Sequence, residues 1–498
     1  MKRLTVLLTF IFTLMVSLLP ACNGLDDNFS TNPNHRLSFS ADTLTFDTIF
    51  STIGSTTRQF MIYNPNDKPL NIQSVMLAGA GTSGFRINVD GKKGDQFDNI
   101  SILAKDSMYV FVEVTVNPNG KNQPLLIEDS VIFQTNSVTQ SVLLQAYGQD
   151  VHLYKGGTFL NKDTRFTAER PYLIYDSLIV GKGTTLSIDK GATLYMHDKA
   201  KVIVNGTLTA VGTQEAPITF RGDRLDFILN DLLPYDRTPT QWGGIFIQSE
   251  SFNNLLDQVI IRNGTTGVNC QTSTPDQKKI TIANSQITNM GAGNLFTATN
   301  CFIEAYNTEF SNASGGIVVL LGGKYQFTHC TLANHIQLVK KNEPPTPCLV
   351  LSNFLPDKDK KKTPYALTQA TFDNCIIDGG SSAGSKPLMG ELGLSSVDNV
   401  AFNYHFNHCV MKTVGSNNAD FTNVIFIKQS PSYQMLGGEK NKYRFDFRPD
   451  SATTVGVGKA DPAITAKYPT DRYGVSRLSA TGPAIGAYEF VPKETGKK

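Results

Sequence analysis

The chain has 498 residues and a formal net charge of +2, with 18% charged residues, 40% hydrophobic residues and a single tryptophan. This length allows two or more domains. The near-neutral charge provides no field that would favour nucleic acid or a strongly acidic substrate. Abundant Asn, Thr, Ser and Gly are typical of a secreted β protein with many turns.

The first 22 residues contain the parts of an export signal. Met1-Lys2-Arg3 is basic, and residues 4–19 form an apolar run that is too short for a comfortable membrane span. The run ends in Leu19-Pro20-Ala21-Cys22, and the segment resembles a bacterial lipoprotein signal. The resemblance implies removal of residues 1–21 and anchoring of acylated Cys22 in outer-membrane lipid. An ordinary secretory signal with a chance cysteine is the alternative.

Residues 22–36 are predicted to form a flexible tether, because Asn, Ser, Thr and Pro are frequent there. Asp26-Asp27, soon after Cys22, is similar to the surface-export signal of Bacteroidetes lipoproteins. The resemblance implies a lipid-anchored outer-membrane protein that faces the cell surface. An anchor that faces the periplasm is the alternative.

Residues 37–150 alternate between apolar and polar side chains in about seven short runs that are separated by turn signals. This pattern predicts an immunoglobulin-like β-sandwich without a core disulfide. The region also resembles the Ig-like modules of secreted Bacteroidetes proteins. We interpret it as a spacer, with a ligand-binding module as the alternative.

Residues 178–204 carry apolar pairs at a constant interval of eight residues. The pairs are Leu178/Val180, Leu186/Ile188, Leu194/Met196 and Val202/Val204. The spacing of two within each pair predicts a strand with one buried face, and Gly183 and Gly191 mark turns. Three such edges form a coil of 24 residues, so the pattern predicts a β-solenoid.

A second repeat follows, with a polar Asn or His, a small residue, any residue and then an apolar residue. It begins at Asn284, Asn307, His329, Asn374 and His408. The Asn or His is predicted to occupy a corner, and the small residue to point inward. Because the small residue is Cys330, Cys375 or Cys409 in three copies, we predict a ladder of buried thiols rather than disulfides.

Residues from about 170 to 490 resemble right-handed parallel β-helix repeat proteins, and the domain is predicted to span residues 151–490. The resemblance rests on Trp242-Gly243-Gly244-Ile245, on the closing Ile485-Gly486-Ala487-Tyr488-Glu489, and on Asp471, Gly474 and Arg477 just before it. It implies an all-β chain in which an immunoglobulin-like β-sandwich is followed by a right-handed parallel β-helix of about a dozen coils. The closing segment is expected to cap the last coil, and residues 491–498 are expected to form a disordered tail.

Four insertions are the expected places for chemistry: residues 222–240, 268–279, 335–366 and 379–399. The first of them and its flanking residues supply six candidate ligand-binding residues, which are Arg221, Asp223, Arg224, Asp226, Asp236 and Arg237. Carboxylates beside arginines suit a calcium-assisted polysaccharide lyase, and paired acids suit a glycoside hydrolase. Neighbouring charges on one loop are more often solvated pairs, so neither a catalytic residue nor a metal ligand is assigned.

Six short motifs of Asp, then Ser or Thr, then an apolar residue are similar to the O-glycosylation acceptor of exported Bacteroidetes proteins. The candidate acceptors are Thr43, Thr48, Ser107, Ser130, Ser177 and Ser451.

The sequence lacks the polygalacturonase-type motif set, the Arg-x-Pro-x-x-Arg pattern of the pectate-lyase family, a Ser-His-Asp signature, a phosphate loop and a dinucleotide fingerprint. The leading prediction is therefore a non-catalytic surface lipoprotein that binds glycan or serves as an envelope scaffold, with no cofactor and no nucleic-acid partner. A lyase or glycoside hydrolase on the β-helix, with calcium only if it is a lyase, is one alternative. An adhesin with a protein partner is another. The sequence does not predict the oligomeric state.

Overall fold

The structure, a computed structural model, describes residues 28–120, 122–228, 233–336, 346–357, 359, 361–380, 390–437, 444–478 and 482–492. The predicted signal segment, Cys22 and residues 493–498 of the predicted tail lie outside these residues. The chain divides into two compact units between Asp150 and Val151. No helix among the described residues combines the length and the apolar character that crossing a membrane requires.

The N-terminal unit is built from ten strands, three more than the pattern predicted. They are β1 (Ser38–Phe39), β2 (Thr43–Phe50), β3 (Arg58–Tyr63), β4 (Leu70–Leu77), β5 (Phe85–Val89), β6 (Lys92–Gly94), β7 (Gln96–Ile102), β8 (Ser107–Val114), β9 (Leu125–Thr135) and β10 (Val138–Gln149).

These strands form two five-stranded sheets. Sheet A has the order β1-β3-β8-β5-β6 and sheet B the order β2-β10-β9-β4-β7. Alternate side chains of both sheets fill one apolar core that includes Phe60, Val110 and Phe133. The result is the β-sandwich that the alternation predicts.

The second unit is a stack of short strands. They are β11 (His152–Tyr154), β12 (Thr158–Leu160), β13 (Thr164–Phe166), β14 (Tyr172–Ile174), β15 (Ser177–Val180), β16 (Thr185–Asp189), β17 (Thr193–Met196), β18 (Lys201–Val204), β19 (Thr207–Val211), β20 (Ile218–Gly222), β21 (Phe227–Ile228), β22 (Leu233–Pro234), β23 (Gly244–Ile247), β24 (Asn254–Asp257), β25 (Val259–Arg262), β26 (Val268–Cys270), β27 (Lys278–Ala283), β28 (Gln286–Met290), β29 (Phe296–Thr299), β30 (Phe302–Tyr306), β31 (Glu309–Ala313), β32 (Val318–Leu321), β33 (Gly323–Thr328), β34 (Thr331–Asn334), β35 (Leu349–Ser352), β36 (Phe354–Pro356), β37 (Lys362–Pro364), β38 (Leu367–Asp373), β39 (Ile376–Gly379), β40 (Leu392–Ser395), β41 (His405–Asn407), β42 (Val410–Met411), β43 (Phe421–Thr422), β44 (Ile425–Phe426), β45 (Tyr433–Leu436) and β46 (Phe445–Pro449). A 3-10 turn (Tyr235–Arg237) and one short helix, α1 (Pro462–Thr465), complete the elements of the unit.

Three long parallel sheets run the length of this stack. Sheet C contains 11 strands, from β11 to β44, sheet D contains 9, from β12 to β40, and sheet E contains 10, from β13 to β43. Successive coils add strands to sheets C, D and E in turn, and the last coil adds only β43 to sheet E and β44 to sheet C. The predicted fold class, a β-sandwich followed by a parallel β-helix, is confirmed.

The apolar pairs that repeat every eight residues are the inward-facing side chains of successive edges. Leu178 and Val180 lie on sheet D, Leu186 and Ile188 on sheet E, and Leu194 and Met196 on sheet C, and all six are at most 3% exposed. Burying one such side chain contributes roughly 1.5–3 kcal/mol. The core of the solenoid is the continuous stack of these pairs.

The Asn or His of the second repeat lies at the corner between sheet E and sheet C. Asn284, Asn307, His329, Asn374 and His408 all have φ between 47° and 53°. Asn and His tolerate this left-handed conformation better than most residues, which explains their use there. Cys330, Cys375 and Cys409 are buried free thiols, as predicted, and Cys270, Cys301 and Cys348 are also buried and free.

The C-terminal segment, defined as residues 450–478 and 482–490, runs along these corners in the opposite direction. Asn374 Oδ1 accepts a hydrogen bond from Asp461 N at 2.7 Å, and His329 contacts Thr465. Farther along, Asn307 donates to the carbonyl of Thr470. The prediction that this segment covers the last coil is too narrow, because the segment follows the side of the solenoid.

Candidate ligand-binding face of the solenoid

The outer face of sheet C is bordered along both edges. After β20, the described residues 223–228 and 233–243 leave the coil where the chain passes from sheet C to sheet D. At the opposite edge, the corners carry the C-terminal segment. Side chains that point outward from the strands of sheet C therefore lie at the floor of a bordered surface.

One column of this surface brings together aromatic and basic side chains from three successive coils. Tyr195 of β17 is the register partner of Arg221 of β20. Phe220 pairs with Ile261, so the next residues, Arg221 and Arg262, are also neighbours. The Arg221 guanidinium lies 5.8 Å from the centroid of the Tyr195 ring. We call Tyr195, Arg221 and Arg262 the arginine column.

The first insertion places a carboxylate over the arginine column. Asp236, in the 3-10 turn, accepts from Arg221 Nη1 at 3.0 Å and from Arg262 Nη2. Burial and the charge of Arg262 lower the pKa of Arg221, and Asp236 opposes both effects. Arg262 Nε is buried without a hydrogen-bond partner among the described residues. Two guanidiniums thus share one carboxylate, which leaves a positive charge at the surface.

The start and end of the insertion are held by tight packing. A Cβ on Gly222 would lie 2.2 Å from Gln241 Oε1, so only glycine fits at the point where β20 ends. Trp242 is fully buried and donates from Nε1 to the carbonyl of Arg262 at 2.8 Å. These contacts fix both ends of the insertion relative to Arg262.

Arg224 and Asp226 form a local ion pair on the same insertion. Arg224 Nη2 lies 2.5 Å from Asp226 Oδ2, and its guanidinium lies 4.0 Å from the centroid of the Tyr235 ring. The hydrogen bond with Asp226 raises the pKa of Arg224. The ion pair is therefore a contact within the loop, as the sequence indicates. Stacking on the Tyr235 ring holds the Arg224 guanidinium in place.

Asp223 contacts a histidine of the preceding coil. His197 Nδ1 lies 2.6 Å from Asp223 Oδ2, and the His197 ring stacks on Tyr175 with centroids 3.9 Å apart. Burial raises the pKa of Asp223, and the hydrogen bond with His197 partly offsets this effect. The His197 side chain is 42% exposed. The contacts orient an accessible imidazole beside the arginine column.

Two further arginines, Arg237 and Arg444, influence each other through their charges. The charge of Arg444, which precedes β46, contributes to a lowered pKa of Arg237, although burial is the larger cause. Neither side chain has a hydrogen bond or an ion pair within the part of the chain that the structure describes. Arg237 also interacts electrostatically with the adjacent Asp236, so two guanidiniums and one carboxylate leave a net positive charge, which favours an anionic ligand.

The surface is closed farther along sheet C by the β45–β46 hairpin. Asp378 is fully buried there, and its Oδ2 contacts His335 Nε2 at 2.9 Å and Tyr433 Oη at 3.1 Å. Burial raises the pKa of Tyr433 well above its usual value. These contacts hold the hairpin over the later coils, so the open part of the face lies nearer to the arginine column.

The structure brings together some of the six predicted binding residues and separates others. Arg221 and Asp236 meet on the arginine column, whereas Arg224 pairs with Asp226 and Asp223 pairs with His197. The sequence prediction missed several residues of this surface. They are Tyr175, Tyr195, His197, Tyr235, Arg262 and Arg444.

The predicted O-glycosylation acceptors are all at least partly accessible. Thr43 and Ser107 are exposed, and the other four are half-buried. Their modification stays a prediction. Within the described ranges, no group of three or more His, Cys, Asp or Glu has an arrangement suited to a metal ion.

Comparisons with known proteins give little functional information. No family model matches the chain. A stretch of 100 residues, 20% of this chain, is 37% identical to Protein bark beetle of Drosophila melanogaster, and the match covers 3% of that protein. The activities and partners of such a larger protein therefore do not transfer to this chain.

The similar solved structures match only part of this chain. A family 123 glycoside hydrolase from Clostridium perfringens matches 23% of this chain and 26% of its own, with 9% identity and a TM-score of 0.17. A PapD-like domain of human CEP192 matches 26% of this chain and 95% of its own, with 11% identity and a TM-score of 0.17. Similarity at this level carries no argument about function.

Proposed function

We propose that this protein is a lipid-anchored surface lipoprotein whose β-helix binds an anionic polysaccharide without cleaving it. The observation that carries the proposal is the arginine column beneath Asp236, together with Arg237 and Arg444. Arginine binds carboxylates through two parallel hydrogen bonds, and tyrosine rings pack against sugar faces. A polysaccharide of uronate residues offers both groups at regular intervals.

The local charge supports an anionic ligand although the whole chain is almost neutral. The surface described above carries five arginines and three carboxylates. They are Arg221, Arg224, Arg237, Arg262 and Arg444, and Asp223, Asp226 and Asp236. Five positive and three negative side chains leave an excess of two positive charges on this part of the solenoid. Binding by such a surface weakens as salt screens its charges.

The double variant Arg237→Ala/Arg444→Ala is expected to bind anionic polysaccharide roughly tenfold or more weakly, equivalent to about 1.4 kcal/mol or more. Neither side chain forms a hydrogen bond or an ion pair among the described residues, and Asp236, which also attracts Arg237, keeps its ion pairs with Arg221 and Arg262. A soluble form without residues 1–22 would be run through native gels that contain polygalacturonate or alginate, at two salt concentrations.

Arg165→Ala is the matched control, because Arg165 is 72% exposed on sheet E and pairs only at the surface with Asp189. Retention by the control and loss of retention by the double variant would support the proposal. Equal retention by wild type, control and double variant would contradict it, as would the absence of retention on both polymers.

A lyase or glycoside hydrolase is the second candidate, because Asp223 orients the accessible His197 beside the arginine column. An imidazole held this way is suited to remove a proton from a bound sugar. The same samples should therefore be assayed for new reducing ends and unsaturated uronate ends, with and without calcium. Product formation that His197→Ala abolishes would replace the non-catalytic proposal.

The anchor is tested separately through Cys22. Cys22→Ala is expected to move the full chain from the membrane fraction to the soluble fraction, because acyl chains on Cys22 provide the proposed attachment. Fractionation followed by immunoblotting measures this shift. A variant that stays in the membrane fraction to the same extent as wild type would contradict the lipid anchor.

A further inference from the structure

The outer face of sheet A contains an open pocket that the proposed function does not use. It has a volume of about 500 Å³ and lies entirely within the sandwich. Its lining residues are Thr57, Arg86, Ile87, Asn88, Lys93, Gly94, Asp95, Phe111 and Glu113. The volume is within the range of about 300–1,000 Å³ that small-molecule sites have.

Cross-strand register explains why these side chains converge. Phe111 of β8 is opposite Asn88 of β5, and Asn88 is opposite Lys93 of β6. The neighbouring row pairs Glu113 with Arg86. Because adjacent strands lie about 4.8 Å apart, the first row spans roughly 10 Å of the sheet. One face of an antiparallel sheet thus presents an aromatic ring, an amide and charged groups in two rows.

The aromatic part of the pocket is larger than one ring. Phe111 stacks on Tyr109, two residues earlier on the same strand, with centroids 5.9 Å apart and planes at 28°. Tyr109 is 45% exposed. Two rings that face solvent side by side form an apolar platform, and such a platform matches the C–H face of a pyranose ring.

The polar groups around the platform have free hydrogen-bonding capacity. Thr57 donates to Glu113 Oε1 at 2.8 Å, and Arg86 donates to Thr115 at 2.9 Å. The closest approach of Arg86 to Glu113 is 3.9 Å, which is too long for a hydrogen bond. Asn88 Oδ1 is buried and has no partner among the described residues. A ligand hydroxyl can donate a hydrogen bond to this amide oxygen after rotation of the amide.

The charges of the pocket cancel. Arg86 and Lys93 are balanced by Asp95 and Glu113. The carboxylates can accept hydrogen bonds from neighbouring sugar hydroxyls, and Arg86 and Lys93 can donate to them. The pocket has no net charge that would favour an anionic ligand. We propose that this pocket binds a neutral sugar of a polysaccharide chain, so that the sandwich is a second carbohydrate-binding module in addition to a spacer.

Phe111→Ala is the principal test. The soluble form without residues 1–22 would be run through native gels that contain xyloglucan, galactomannan or laminarin as neutral probes. We expect retardation of wild type on at least one probe, and a loss of roughly tenfold or more in affinity in the variant. Tyr109→Ala, which removes the more exposed ring, is expected to weaken binding in the same gels.

Tyr147→Ala is the matched control, because Tyr147 is a 44% exposed aromatic residue of sheet B. It is expected to bind as wild type does. Circular dichroism of each variant shows whether the sandwich remains folded, and Tyr109→Ala provides the test if Phe111→Ala does not fold. Absence of retardation on all three neutral probes would overturn the proposal. Binding that neither aromatic substitution reduces would also overturn it.

The two sites are distinguished by their probes. Retention on polygalacturonate or alginate should depend on Arg237 and Arg444 and should persist in Phe111→Ala. Retention on a neutral probe should depend on Phe111 and should persist in Arg237→Ala/Arg444→Ala. A Phe111→Ala variant that loses only the anionic probes would overturn the assignment of a neutral ligand to sheet A.

Discussion

Arg477→Ala is expected to release the C-terminal segment from the solenoid and to lower the free energy of unfolding by about 3–5 kcal/mol. Arg477 is fully buried and donates to Glu489 Oε1 at 2.8 Å and to Asn307 Oδ1 at 3.0 Å. It also donates to the carbonyls of Ala484 and Gly486. The substitution leaves the buried Glu489 carboxylate without its cation, which is the costly case for an ion pair.

Urea denaturation and hydrogen exchange would measure this effect. Exchange should increase in residues 461–489 and at the corners that they cover. Arg448→Ala is the control, because Arg448 is 51% exposed and pairs with Asp446 at the surface, so its loss should cost about 1 kcal/mol or less. Equal stability of Arg477→Ala and Arg448→Ala would show that the segment is held by other contacts.

The variant His329→Asn is expected to weaken the pH dependence of stability below about pH 6.5. Burial lowers the pKa of His329 well below its usual value, and the charge of Arg477 adds to this effect. As the pH falls below the unfolded-state pKa, the unfolded chain gains a proton that the folded chain does not accept. The stability that the neutral imidazole contributes is therefore fully present above the unfolded-state pKa, and it is lost as the pH falls from there toward the folded-state pKa. The free energy of unfolding then changes by at most about 1.4 kcal/mol per pH unit.

Asparagine suits the His329 position because the neighbouring corners already use it. His329 has φ of 49°, and Asn307 and Asn374 have values of 47° and 53°. Unfolding free energies of wild type and His329→Asn would be compared at several values between about pH 7 and pH 5. His329→Gln also removes the titrating group but fits this backbone less well, so it should be less stable with the same flattened slope. An unchanged slope in both variants would contradict the prediction.

The sequence predicts the core of the solenoid well, because inward-facing positions follow from local alternation. Leu178, Val180, Leu186 and Ile188 are separated by short turns, so their burial requires no knowledge of distant contacts. The corner residues are similarly local, since a left-handed conformation restricts the residue type at one position. Both features are therefore visible in a single sequence.

The binding surfaces are harder to predict, because they depend on register between coils of different length. Arg221 was identified, but Tyr195 and Arg262 are its neighbours only once the coils are aligned through Phe220 and Ile261. The insertion that carries Asp236 lengthens one coil, so the regular spacing that would reveal this alignment is lost in the sequence. An aligned set of coils would have shown the column, since register places like positions next to each other.

The pocket of sheet A was missed for a related reason. Phe111, Asn88 and Lys93 come from three strands, and their pairing depends on which strands are adjacent in the sheet. Alternation identifies the strands but not their order. The contacts of Arg477 were also not predicted, because the resemblance suggested a terminal cap and gave no partner for this side chain.

The course of the C-terminal segment bears on how the chain acquires its structure during synthesis. A stack of coils can form from its first turn onward while the ribosome is still extending the chain, because each coil needs only the one before it. Arg472, however, donates to the carbonyl of Ser285, a residue made 187 positions earlier. The corners that the C-terminal segment covers can therefore be completed only after Arg472 has been synthesised. Once this segment docks, opening a middle coil also breaks the contacts of that coil with the segment. We therefore expect the coils to unfold together rather than one at a time.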